Sequence, residues 1–275
     1  MNKYYYIYNL AYKYLSEMKP VRVNLEDYLY GDHKDYKSME EIYKQFINSA
    51  QNFNMLPKVI KFETRNEEMA DILHHYNIQD LSAEDPEKLF EQFNQKYHIV
   101  VGKNTGKLWK LWCRSVVDSA RFLCRFDSPE EFDKYVKSFD DVSRRKLLPK
   151  EIAKNICNIK FAAACDLIKE LGYTEYIKPD IHMDKIFTAF GLCPECDKNK
   201  LHTEKRKEVV FDAGVNMAYE CQKEDPGITP YKVDKVLWMI CSGRFYKEKP
   251  EIDVPGQRDE FIQYAKDKIK HDFKL

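Results

Sequence analysis

The stretch Ile156-Cys-Asn-Ile-Lys-Phe-Ala-Ala-Ala-Cys-Asp-Leu-Ile-Lys-Glu-Leu-Gly-Tyr-Thr-Glu-Tyr-Ile-Lys-Pro-Asp-Ile-His-Met-Asp-Lys-Ile-Phe187 decides how this chain is read. Its pattern is helix, tight connection, alanine-rich helix, loop, helix. Ala162, Ala163 and Ala164 leave one helix face low enough for a close helical neighbour. Gly172 is placed to stop that helix, because glycine takes a left-handed conformation without steric cost. Pro179-Asp180 opens the next helix with Asp180 at the N-cap, where its carboxylate faces the partial positive charge of a helix end. The connection at residues 156–160 holds no glycine. Asn158 tolerates a left-handed conformation there; Lys160 does so only reluctantly.

Helical periodicity extends outward from this stretch in both directions. Upstream, residues 4–18 predict a helix with Ile7, Leu10, Ala11, Tyr14 and Leu15 on one face, ended by Pro20. Its tyrosines read as a packed amphipathic face rather than a stacking platform for bases. Residues 38–53 predict a second helix, with Ser38 as N-cap and Glu41 at capping-box spacing. Residues 55–62 read as extended, and 66–76 and 85–97 as two more helices. Two of the nine glycines lie at 102 and 106, so 98–106 reads as a linker dividing residues 1–98 from 99–275. Downstream helices are predicted at 107–126, 128–139, 149–157, 160–171, 181–190, 200–221, 230–241 and 255–270.

Composition agrees with an all-α chain. Only 9 of 275 residues are glycine, against a typical ~7%; barrels, propellers and dinucleotide folds need more for their turns. Apolar residues make up 44% and charged residues 33%, a globular balance. No apolar run reaches ~18 residues, so no membrane span is expected. The start of the chain lacks an apolar signal core, so a cytoplasmic location is expected, with the eight cysteines reduced. Lys+Arg and Asp+Glu both number 45, and the zero net charge excludes bulk polyanion binding. Positive charge is local: residues 141–160 carry six basic and two acidic side chains, whereas 63–98 carry nine acidic and three basic.

The helix-connection-helix stretch and Asp180-Ile-His182 together resemble the helix-hairpin-helix base-excision DNA glycosylase superfamily. Met183 extends the likeness toward its 8-oxoguanine branch. The similar region runs over about residues 107–241. The resemblance implies a two-lobed, all-α fold with a helical N-terminal extension. It also implies a glycosylase that flips a damaged or modified base out of double-stranded DNA and cleaves the sugar–base bond. Asp180 matches the family's essential aspartate, which would stabilise oxocarbenium-like charge on the sugar or activate water. Lys160 matches the position of the lyase nucleophile in bifunctional members, a role that asks for burial or neighbouring cations. Its other reading is a phosphate-contacting lysine. Candidates for gripping DNA are Asn158, Lys154, Lys178, His182 and Arg244. Candidates for a base pocket are Trp112, Asp118, Phe122 and Trp238, with Trp109, Phe245, Ser119 and Arg121 beside them.

The departures define the alternatives. Family hairpins carry glycines that let amides approach a phosphate, and this one has none. A non-catalytic DNA-binding relative, or a defence enzyme acting on hypermodified phage bases, therefore stands beside the repair reading. Cys193-Pro-Glu-Cys196 lacks a second pair, with only His202 and Cys221 as distant candidates, so no metal and no cofactor are expected. His74-His75 and Asp32-His33 read as surface residues, and the protein is expected to act as a monomer.

Overall fold

The computed structural model describes residues 2–30, 35–52, 56–100 and 104–273. In chain order the helices are α1 (Lys3–Met18), α2 (Glu26–Leu29), α3 (Met39–Ala50), α4 (Leu56–Ile60), α5 (Phe62–Met69), α6 (Ile78–Ala83), α7 (Pro86–Tyr97), α8 (Asn104–Leu123), α9 (Pro129–Lys137) and α10 (Leu147–Asn155). Then come α11 (Phe161–Glu170), α12 (Ile181–Ala189), α13 (Glu204–Gln222) and α14 (Pro230–Ser242). A two-stranded antiparallel ribbon, β1 (Arg244–Phe245) and β2 (Ile252–Asp253), precedes α15 (Arg258–Phe273). The chain is all-α apart from this ribbon.

Helix starts follow the expected chemistry. The side chains of Ser38, Asp85, Ser128, Asp180, Thr203 and Thr229 each accept a first-turn amide, satisfying donors that a helix end leaves open. Three local expectations change. Residues 56–60 are helical, not extended. The helix expected over 66–76 stops at Met69 and gives way to a short 3-10 turn, with His74, His75 and Tyr76 at positive φ. The linker resolves in part into α8, which already contains Gly106; residues 101–103 lie outside the described residues, as does the Asp32-His33 pair.

Two compact units result: residues 1–33 with 172–275, and residues 34–171. The units therefore divide at 33/34 and 171/172 rather than at 98/99. The reason is visible in the second unit, where α7 packs on α8 across residue 98. There α8 is central, contacting α3, α4, α6, α7 and α10. Phe93, Trp109, Trp112 and Phe62 form an aromatic cluster with centroid spacings of 5.2–5.9 Å, close enough for favourable edge contacts. In the first unit α1 lies against α13, α14 and α15. It buries Tyr6, Ile7, Tyr8, Ala11 and Leu15, and its other tyrosines are half-buried.

Candidate functional site

The connection between α10 and α11 is a tight turn held by its backbone. Asn158 has φ 65°, the left-handed conformation that asparagine tolerates. Its Nδ2 donates to the Ala50 carbonyl at 3.4 Å. On either side of the preceding peptide, Cys157 N–H donates to Asp118 Oδ2 at 3.0 Å and Ser115 Oγ donates to the Cys157 carbonyl at 2.7 Å. Two polar groups of α8 thus fix the turn without a glycine. Asparagine serves because its short amide tolerates φ > 0 better than other side chains do.

Lys160 is the N-cap residue of α11, with an extended backbone and no side-chain cap. Among the described residues no side chain accepts from the amides of Ala162 and Ala163 in its first turn. Lys160 is exposed, so burial does not supply what the nucleophile role asks for. Lys154, in the last turn of α10, is exposed as well. Within the basic stretch, Arg144 and Lys150 are also exposed, whereas Arg145 is buried and donates to the Asp140 carbonyl at 2.6 Å. Uncapped amides and nearby lysines together make an anion-attracting end.

The start of α12 is built differently. Gly172, at φ 101°, ends α11 as expected. Asp180 is half-buried and accepts from His182 N–H at 2.8 Å and Met183 N–H at 3.1 Å, both through Oδ1. Among the described residues Oδ2 has no hydrogen-bond partner. One oxygen holds the side chain in place while the other is left to act. His182, half-buried at the second helical position, has its Nδ1 3.4 Å from Arg258 Nη1. Cys241, at the end of α14, is also close: burial pushes its thiol up to about 12, and Asp180 adds to that push while Arg258 opposes it.

One turn further along α12, Asp184 forms a buried ion pair with Arg206 of α13. Arg206 also donates to the Pro194 carbonyl at 2.7 Å, Thr188 Oγ1 at 2.7 Å and Cys193 Sγ at 3.4 Å. The pair locks α12 to α13 and to the loop after Gly191. It also accounts for Cys193, which is buried against Arg206 and Thr188, while Cys196 Sγ turns to the Asp197 carbonyl. Cys221 is buried in α13.

The remaining candidates sort by burial. Trp112 is fully buried and donates from Nε1 to the Ile47 carbonyl at 3.0 Å, and Phe122 stacks on Phe46. Both belong to the core of the second unit rather than to a pocket wall, because a helix face turned to α3 cannot also face solvent. Trp109, against Phe93 and Tyr97 of α7, and Phe245, edge-on to Tyr28, are buried as well. Asp118 holds the turn at Cys157, and Arg121 closes the end of α6 through the Ser82 and Glu84 carbonyls. Ser119 is fully buried. Arg244 is exposed but sits on the ribbon between Glu251, at 3.2 Å, and Asp253, at 3.5 Å, so its charge is already answered. Trp238 is half-buried, edge-on to Tyr246 at 6.1 Å. Lys178 is half-buried. His74 is paired with Glu84 at 3.1 Å. Two surface cavities of about 370 and 270 Å³ lie in the second unit, and no candidate site residue lines either.

No family model matches this chain, and no curated protein matches it. Its structure is similar to the crystal structure of Methanocaldococcus jannaschii 8-oxoguanine glycosylase/lyase in complex with 15mer DNA containing 8-oxoguanine. That likeness covers 83% of this chain and 95% of that one, at 17% identity and a TM-score of 0.48.

The structure brings Asp180 and His182 together in the first unit, and Asn158, Lys160 and Lys154 together in the second. Sequence reasoning missed Arg258 and the supporting Ser115. Arg258 lies 76 residues from His182 along the chain, and no local pattern pairs them. Ser115 shares an α8 face with Ser119, and of these two buried hydroxyls only that of Ser115 has a hydrogen-bond partner among the described residues, which the sequence pattern does not distinguish.

Proposed function

We propose that this protein is a DNA N-glycosylase that cleaves the bond between sugar and base at a damaged or modified nucleotide extruded from duplex DNA. The observation that carries the reading is the carboxylate of Asp180, half-buried, pinned through Oδ1 and unengaged at Oδ2. As the base departs with the bonding electron pair, positive charge develops on the sugar. A fixed carboxylate oxygen stabilises that charge, or takes a proton from the water that attacks the sugar carbon. The turn at Asn158, the uncapped start of α11, Lys154 and Lys160 would grip the phosphate backbone. The left-handed Asn158, with the bonds from Asp118 and Ser115 to Cys157, supports an ordered turn for that contact. The exposure of Lys160 favours a phosphate contact over a lyase nucleophile.

The Asp180-Ile-His-Met183 likeness to the 8-oxoguanine branch makes an oxidised purine the first substrate to try. Incubation with a panel of duplexes, each carrying one lesion, should yield abasic sites on at least one. Cleavage of none, together with salt-independent duplex binding, would rule out the reading. Borohydride trapping of a covalent adduct, lost in Lys160→Ala, would restore the lyase role.

A further inference from the structure

Three segments of the first unit converge on the start of α12. The turn after α14 is left-handed at Gly243, with φ +68°, and a Cβ there would stand 1.9 Å from the Val254 carbonyl oxygen. A Cβ on Gly256 would stand 2.1 Å from the Cys241 carbonyl oxygen. Both obstacles are backbone, so side chains at these two positions would force the strands of this seam apart. The seam is closed by Val254 N–H to the Gly243 carbonyl and Gln257 N–H to the Ile240 carbonyl, each at 2.8 Å. It sets where α15 begins, and the first residue of α15 is Arg258.

Arg258 is mostly buried along its side chain, at 18% exposure. Its Nε and Nη2 hold the two oxygens of Asp259 at 2.8 and 3.1 Å, and its Nη1 meets His182 Nδ1 at 3.4 Å. Asp259 in turn lies in the field of Lys185 on α12. The fork fixes the plane of the guanidinium. A guanidinium has donors and no acceptor, so the imidazole must accept at Nδ1 and carry its hydrogen on Nε2.

We propose that Arg258 is a positioning residue for His182, orienting the ring so that Nε2–H is presented as a donor to a DNA phosphate at the start of α12. This deepens the DNA-binding reading above and rests on it. The full chain is titrated with a short undamaged duplex over a range of salt, as wild type, His182→Ala, Arg258→Ala and the double variant. Each single substitution is expected to weaken binding roughly fivefold, about one hydrogen bond, and the double no more than either single. Arg258→Lys should recover part of the loss, and circular dichroism should show that every variant keeps its helices. In the free protein, the His182 Nδ1 resonance should move in Arg258→Ala.

Losses that multiply in the double variant would overturn the proposal. So would a salt slope that drops by about one in Arg258→Ala, since Arg258 would then touch the phosphate itself. An unmoved Nδ1 resonance would overturn it independently of DNA. Failure of the wild type to bind duplex would overturn the DNA reading and the phosphate role together, and the Nδ1 resonance would still decide whether Arg258 orients the ring.

Discussion

Helices α11 and α12 begin twenty residues apart in the chain, at Lys160 and Asp180, and they begin in opposite ways. Asp180 accepts two amides and neutralises the start of α12. Lys160 accepts none and adds a positive charge to the start of α11. A helix that only needed to be stable would be capped like α12, because a cap is worth about 1 kcal/mol. An uncapped start beside an exposed lysine forgoes that stability and leaves donors for an anion. In the function proposed above, the start of α12 holds the carboxylate, beside the phosphate donor of His182, and the start of α11 offers a second phosphate contact.

The strongest way to break this contrast is Asp180→Asn. Asparagine caps a helix as well as aspartate does, so α12 and duplex affinity should survive. Abasic-site formation should fall by roughly two to four orders of magnitude, the scale of a lost general base or charge stabiliser. If excision persists in Asp180→Asn, Asp180 is only a cap.

Next in size is the support beneath α12. Asp184→Asn or Arg206→Met leaves one charge of a buried pair without its partner, and should cost about 3–5 kcal/mol, read as a lower midpoint in thermal unfolding. A loss under ~1 kcal/mol would mean that water reaches the pair and that α12 is held by its apolar face alone.

The two left-handed turns sharpen the comparison further. Asn158 and Gly243 have nearly the same φ, 65° and 68°. At Gly243 a Cβ meets a backbone oxygen, so Gly243→Ala should cost more than the ~1–2 kcal/mol of an ordinary left-handed residue. At Asn158 a side chain is already accommodated. Asn158→Ala should cost about 1 kcal/mol, and Asn158→Gly close to nothing. Equal costs at the two turns, measured by denaturant unfolding, would show that space plays no part.

The smallest effect is the most pointed. Lys160→Asp gives α11 the kind of start that α12 has. It should raise stability by about 1 kcal/mol while weakening duplex binding and its salt dependence. A variant that is stabler and binds DNA as before would remove the start of α11 from the interface.

Much of this was readable beforehand. The N-caps at Ser38, Asp85, Ser128 and Asp180, the stop at Gly172 and the left-handed tolerance of Asn158 all follow from residues within four positions of each other, the range over which backbone chemistry acts. Trp112 and Phe122 are core for the complementary reason. Periodicity marks Trp112 and Phe122 as one face of α8 but does not say whether that face meets a base or α3. The linker at 98–106 misled because glycine marks both flexible joints and close helix packing.

Local sequence thus specified where helices start, where they stop and which residue could turn left-handed, because capping and φ preferences are settled among near neighbours. Which lysine stays exposed, which carboxylate keeps a free oxygen, that Asp118 and Ser115 hold the turn, and that Arg258 reaches His182 were settled only when distant segments packed. Those relations depend on burial and on partners far apart in the chain, and the close seam of Gly243 with Gly256 shows how a backbone approach in three dimensions aims a side chain that no local rule could place.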